Sequence, residues 1–310
     1  MSKLLQIRIL KSGLHTSIQD LGRSGWQCMG VPLSGAMDGI SHQLANWLVG
    51  NNSAVPTLEM TLVGPSIEFQ GDAVFAITGA NMNPTVDGEK IQMWKSIEIN
   101  KGGTLEFSRT TAGARAYLAI QGGWQVEEWL GSVSRLPGRQ DILPDNVIQV
   151  GFVIEIEVQG RAIQRSISET VKRAVLGPRT IRILPGPEYD FFDAVWIKEF
   201  GAQNHTIDKD SNRMGIRIEQ HLAGIEQLGP MISSGVTPGT LQITRDGQPI
   251  LLSVDGPTTG GYHRLAQVIH ADLHHLGQLK PGGEIHFEWV DLQAAYIAGG
   301  HLRQELQFIS

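Results

Sequence analysis

The chain has 310 residues and a formal net charge of −6, with 41% hydrophobic and 18% charged residues, the composition of an ordinary globular protein large enough for two domains. That sign of charge excludes a broad nucleic-acid surface, which needs a basic face, and no run reaches the length of a membrane span. A single cysteine, Cys28, excludes an internal disulfide and any cysteine-built zinc site. The start, "MSKLLQIRILKSG", lacks the apolar stretch of an export signal, so the cytoplasm is the expected compartment.

In chain order, short β-branched runs dominate: "LLQIRIL", "AVFAIT", "RAYLAI", "VIEIEV", "TIRIL", "LQIT", "PILLSV" and "EIHFEW". Turn signals, "VDGE", "NKGG", "RDGQ" and "KPGG", separate them, and together they predict mostly antiparallel β structure of barrel or sandwich character. Helical spacing occurs in few places. Residues 38–50 place Ile40, Leu44, Trp47 and Leu48 on one face, with Asp38 at the N-cap position. A second helix is expected over 188–200. A third is expected over 264–277, where Leu265, Val268, Ile269, Leu273 and Leu276 share a face.

The punctuation carries a repeat. "IRIL" occurs at Ile7–Leu10 and Ile181–Leu184, an Asp-Gly turn follows in each half (Asp87-Gly88, Asp246-Gly247), and "GGTLEF" and "GGEIHF" come later. Order and spacing agree, which predicts two related β-lobes, residues 1–175 and 176–310, with the polar stretch 164–179 as the join. The second half carries an unmatched insertion, "DGPTTGGYHRLAQVIHADL", and function is expected there.

Common catalytic strings are missing: there is no G-x-x-x-x-G-K-[ST], no G-x-S-x-G and no H-E-x-x-H. His270 and His274 stand four apart, a metal-ligand spacing, but solvent-facing histidines on a helix are the better reading. Three polar clusters remain. "SIQDLGRSG" holds Gln19, Asp20 and Arg23 among glycines, and its bland reading is a turn held by an Asp–Arg pair. "SGAMD" leads Ser34 and Gly35 into Asp38, which is either a helix cap or a carboxylate aimed at a ligand. "SNRMG" (Ser211, Asn212, Arg213, Met214) and "DGPTTGGYHRLA" form the third. There Thr258, Thr259 and Gly260 offer hydroxyls and close backbone N–H groups to an anion, and Arg213 offers a fixed charge. The bland reading of each is turn chemistry.

The strings "TSIQDLGRSGW", "GVPLSGAMD", "LANWLVGN", "LEMTLVGPSIEF", "ITGAN", "YLAIQGGW", "ILPGPEYDFF", "SNRMGIRI" and "TTGGYHRLAQVI" resemble the biotin-dependent carboxyltransferase family over almost the whole chain. Its members are known as the C-type component of 5-oxoprolinase, allophanate hydrolase subunit 2 or an antagonist of a sporulation kinase inhibitor. The resemblance implies a mainly β fold of two tandem cyclophilin-like β-barrel lobes. It also implies two partners, a kinase-inhibitor-like subunit (the B-type component of 5-oxoprolinase) and a lactam-cleaving subunit (the A-type component), in an assembly that couples ATP hydrolysis to opening 5-oxoproline into glutamate. The related domain of urea carboxylase moves a carboxyl group from biotin to urea. This chain has no Ala-Met-Lys-Met lysine, so no biotin is carried on it, and ATP is expected to be held by the assembly. An amide is a poor electrophile, so the chain's expected work is positioning and charge stabilisation. The candidate catalytic residues are Asp38, Arg213 and Asp255. The candidate substrate contacts are Gln19, Asp20, Arg23, Ser34, Gly35, Asn81, Ser211, Asn212, Met214, Gln242, Thr258, Thr259, Gly260 and Tyr262, with Asp38 expected to face Arg213 or the Thr258-Thr259 turn. In one place the chain departs from the family: "VSRLPGRQDILP" (133–144) is shorter than the usual glycine-rich segment and has Arg135 where a threonine is usual. Carboxyl transfer to a urea-like amide is the alternative activity, and sequestration of a histidine-kinase inhibitor the alternative role.

Overall fold

A computed structural model describes residues 3–139, 141–158, 163–177, 180–223 and 225–309. Gln140 of the short loop and Pro178-Arg179 of the polar join fall outside the described residues. The fold is mainly β, with curled sheets, and each of the eight apolar runs read from the sequence falls on a strand, with "LQIT" and "PILLSV" running past the ends of theirs.

The chain divides into two compact units: Met1–Arg23 with Ser34–Leu176 and Phe308–Ser310, and Ser24–Leu33 with Gly177–Gln307. The first holds a seven-stranded sheet and a five-stranded sheet. The strand Lys3–Lys11 pairs antiparallel with Val153–Val158 on one side and Ser66–Phe69 on the other. In the five-stranded sheet, Ala112–Ile120 lies between Thr57–Thr61 and Ala73–Asn81. Ile7, Ile9, Phe69, Phe75, Leu118 and Ile120 belong to its core. "AVFAITGA" is buried throughout because the helix Gly39–Val49 covers the face of Ala73–Asn81 turned from that core, so the strand reads as a continuous apolar run, with no alternation.

That helix forms as the sequence predicts. Asp38 caps its start, Gly50 in the left-handed conformation ends it, and the Gly50 N–H donates to the carbonyls of Asn46 and Trp47. Leu44 and Leu48 are fully buried, and Ile40 and Trp47 partly so.

The second unit is built on a seven-stranded sheet in the order Asn204–Thr206, Glu284–Trp289, Thr180–Pro185, His263–Val268, Thr240–Ile243, Pro249–Leu252 and Gly215–Arg217. A small ladder, Ser234–Gly235 with Thr259–Gly260, lies beside it. Its core gathers Ile181, Ile183, Phe200, Leu241, Leu265 and Phe287. The expected helix over 188–200 forms as Ala194–Ala202, capped by the Asp193 carboxylate.

Three expectations are corrected. Residues 264–277 are not one helix: His263–Val268 is a strand, and His270–Gln278 is a 3₁₀ helix. A strand running into a tight helix buries Leu265, Val268, Ile269 and Leu276 as one helical face would. His274 is buried while His270 is exposed, because three residues per turn put positions four apart on different faces. The repeat is only partly structural. Both Asp-Gly turns close hairpins, Thr85–Val86 with Glu89–Lys90 and Thr240–Ile243 with Pro249–Leu252. The two Gly-Gly strings do not correspond. "GGEIHF" runs parallel to and beside the second "IRIL" strand, whereas the strand of "GGTLEF" is separated from the first by Ser66–Phe69.

Candidate functional site

In the first unit, two candidate residues serve one loop. The Asp20 carboxylate accepts from the backbone N–H of Gly22 (2.8 Å) and Val133 (2.9 Å) and from the hydroxyls of Ser132 and Ser134 (both 2.7 Å). Arg23, 1% exposed, donates to the carbonyls of Trp129, Ser132 and Ser134, with its guanidinium 5.5 Å from the centre of the Trp129 ring. Both side chains therefore clamp residues 129–134, the stem of the shortened loop. Gln19 is buried and donates to Ser17 Oγ.

The "SGAMD" segment is held from beneath by the sheet. Glu59 and Tyr117 face each other across neighbouring strands. The Tyr117 hydroxyl donates to Glu59 Oε2 and accepts the Asp38 N–H, and Glu59 Oε2 also accepts the Met37 N–H, each at 2.8 Å. Arg115 Nε stands 3.5 Å from Glu59 Oε1. Burial first, and then the neighbouring Glu59 charge, push the Tyr117 phenol well above its ordinary range, so it stays protonated and remains a donor. The Asp38 carboxylate is fully buried and accepts from the Ser41 N–H (2.9 Å) and Ser41 hydroxyl (2.6 Å). Capping geometry is thus present, whatever else the charge does. Ser34 adopts φ 56°, an uncommon conformation for a side-chain-bearing residue. Its hydroxyl is buried without a hydrogen-bond partner among the described residues. Next to it, Gly35 has φ 88°, and a Cβ there would lie 2.7 Å from the Gly22 nitrogen. No side chain fits.

Asn81, at the exposed end of its strand, accepts the Asn83 N–H through its side chain, an ordinary Asx turn.

In the second unit, Arg213 and Asp255 form a two-point ion pair, Nε to Oδ2 at 2.8 Å and Nη2 to Oδ1 at 3.0 Å, with both side chains largely buried. The turn carrying Arg213 is closed by Asn212, whose side chain accepts the Met214 N–H (2.8 Å), and by Ser211, which bonds both backbone groups of Arg217. Met214 is half exposed. The structure also brings Gln242 to the Thr-Thr-Gly-Gly turn. Gln242 Nε2 donates to the Tyr262 carbonyl at 3.4 Å, and a Cβ at Gly260 would sit 2.4 Å from that nitrogen. A side chain at position 260 would have to displace the Gln242 amide. Thr259 and Tyr262 are exposed, and Thr258 is partly so. A second two-point pair, Arg264 with Glu188 at 2.6 and 2.8 Å, holds the following strand; it keeps the Glu188 carboxyl below its usual range.

Sequence reasoning missed Glu59, Arg115 and Tyr117. The available signal was a charged residue inside an otherwise apolar run, "TLEMT", whose period of two sets Glu59 opposite Leu58 and Met60.

The carboxyltransferase domain family, subdomain A and B, matches residues 29–289. The chain is 35% identical to the C-type component of 5-oxoprolinase from Escherichia coli over 291 residues, covering 93% of each chain. It is 34% identical to urea amidolyase of Saccharomyces cerevisiae over 310 aligned positions, covering 91% of this chain but 16% of that one. The solved structure of urea amidolyase from Kluyveromyces lactis superposes with a TM-score of 0.87 at 28% identity, covering 98% of this chain and 20% of that chain.

Proposed function

This chain belongs to the carboxyltransferase domain family, subdomains A and B, and on that premise we propose that it is one component of an ATP-dependent 5-oxoprolinase that opens 5-oxoproline to glutamate. The observation that carries this reading is the end-to-end match with the C-type component of a 5-oxoprolinase, 93% of both chains, where the urea amidolyases match over a small fraction of their length. The proposed partners are a kinase-inhibitor-like subunit and a lactam-cleaving subunit.

ATP is placed on the assembly. The described residues supply poor ground for a triphosphate, since Arg213 and Arg264 beside the Thr-Thr-Gly-Gly turn are each engaged by a carboxylate. The chain's own contribution is then to hold the lactam. Asp38 in the first unit, and separately Arg213 with Asp255 in the second, are proposed as charged groups for the substrate. The glycine-framed turns at Ser34-Gly35 and Thr258-Thr259-Gly260 are its proposed polar contacts. Transfer of the ATP γ-phosphoryl group to the lactam oxygen would release ADP and make the ring carbon electrophilic; water adds there, the C–N bond breaks, the nitrogen takes up a proton to become the amine, and a second water displaces phosphate from the resulting acyl phosphate to leave the side-chain carboxylate of glutamate.

The purified chain, combined with both partner subunits, is expected to release ADP when 5-oxoproline is supplied and not when urea is supplied. Urea-dependent release, once bicarbonate and a biotin-carboxylating, biotin-bearing partner are supplied, would favour carboxyl transfer instead, the reading that the superposition with urea amidolyase supports.

A further inference from the structure

One strand edge in the first unit is left open. The strand Val153–Val158 lies between Lys3–Lys11 and the short strand Gly123–Trp124. Pairing with the short strand ends at Gln125, whose N–H donates to the Glu155 carbonyl at 2.9 Å. On the other side Ile9 donates to the Phe152 carbonyl, and antiparallel bonding alternates along a ladder. Val153, opposite Arg8, therefore turns its N–H and C=O away from Lys3–Lys11, towards the side where pairing has ended. In register Glu127 would stand opposite Val153, but its carbonyl accepts from Asn146 Nδ2 instead, at 3.4 Å. The two segments part there, and a groove of about 670 Å³ opens between 125–127 and 151–155.

Buried Ile18, Leu143 and Ile154 give the groove apolar walls. Its charged lining groups among the described residues, Glu127 and Glu155, are both negative and exposed; Gln6 bonds one oxygen of Glu155. Asn146, 2% exposed, lines it too. Its Nδ2 donates to the Glu127 and Val133 carbonyls, so its carboxamide oxygen, bonded by no described residue, is the atom left to accept from a ligand.

We propose that this groove binds an extended, basic segment of a partner protein by strand addition. The segment pairs its main chain with Val153 and offers a further N–H to Asn146 Oδ1. It lays an apolar side chain against Ile18, Leu143 and Ile154, and brings a lysine or arginine to Glu127 and Glu155. An open strand edge is a template for another chain, and the two carboxylates select a positive chain over a negative one.

The test adds acetyl-Lys-Val-Lys-Val-Lys-amide to the intact chain and follows the Val153 amide by ¹H–¹⁵N spectra and hydrogen exchange. Saturable shifts are expected, with exchange at Val153 slowed about 10-fold or more. The counterpart with glutamates for lysines is expected to bind at least about 10-fold more weakly. Glu127→Gln and Glu155→Gln together are expected to weaken the basic peptide about fivefold. Val153→Pro removes the groove-side donor and spares the ladder with Lys3–Lys11, to which position 153 gives no N–H; it is expected to abolish binding. Should that variant not fold, the peptide N-methylated throughout takes its place and is expected not to bind. No binding at millimolar peptide, an unprotected Val153 amide, equal affinity for the two peptides, or indifference to the double variant overturns the proposal. So does displacement of the peptide by butylammonium at matching concentration, which would mark a small-cation site. Protection of Val153 that rises with protein concentration and needs no peptide would mark pairing between copies, and overturns it as well.

Discussion

At the scale of single residues, Asp38 joins two roles that one substitution separates. Its carboxylate caps the helix through Ser41, and Asn caps about as well as Asp. Asp38→Asn is therefore expected to keep the melting temperature within a few degrees, and Asp38→Ala to cost about 1 kcal/mol. If the charge takes part in the reaction, Asp38→Asn abolishes 5-oxoproline-dependent ADP release in the reconstituted assembly; near-normal release would leave it a cap. Tyr117→Phe tests the support beneath. It strands the Asp38 N–H and takes one donor from buried Glu59, so a loss of about 1–3 kcal/mol is expected by denaturant titration. His42 gives the chain an acid-sensitive element. Its Nε2 lies 3.0 Å from the Ser53 carbonyl and its Nδ1 2.9 Å from Thr57 Oγ1, which sets the neutral tautomer with Nε2–H donating. Burial, the largest cause, lowers its pKa from 6.5 to about 4. A depressed folded pKa means that its contribution is whole above pH 6.5 and is lost as pH falls through 4, a change of about 3 kcal/mol. Stability measured across that window should fall in the parent and fall less in His42→Gln.

At the scale of elements, the sequence is most legible where one local rule decides. The helix Gly39–Val49 was readable because its cap, its apolar spacing and its terminating Gly50 agree. The stretch 264–277 was not, because i, i+3 and i+4 apolar positions also arise when a strand hands over to a 3₁₀ helix. Only pairing with Thr240–Ile243 decides that His263–Val268 is extended. Gly35 shows the same division. Its place in "SGAMD" marks a turn, but the backbone of Gly22 at 2.7 Å from a would-be Cβ is a tertiary fact. Gly35→Ala is expected to cost more than about 2 kcal/mol, from the left-handed backbone and this clash together, measured as a lower melting temperature. The loop 133–144 springs from the stem that Asp20 and Arg23 clamp. Grafting the longer glycine-rich segment onto it is expected to lower the apparent KM for 5-oxoproline with the fold intact. An unchanged KM in a folded graft would put the loop away from the substrate.

At the scale of the whole molecule, a chain whose sequence carries neither a phosphate-binding-loop string nor a G-x-S-x-G string is expected to show no 5-oxoproline-dependent ATPase alone, and to show it when the partner subunits are added. Robust turnover by the isolated chain would end that reading. The sequence by itself determined the mainly β class, the strand runs, the helix at 39–49 and the family, because these follow from local periodicity, turn chemistry and long contiguous strings. The tertiary structure alone decided that Arg213 meets Asp255, that Glu59 and Tyr117 carry the Asp38 segment, and that the two Gly-Gly strands occupy different places in their sheets. Each of those depends on which strands lie side by side, and side-by-side pairing joins residues far apart in the chain that leave no periodic trace along it.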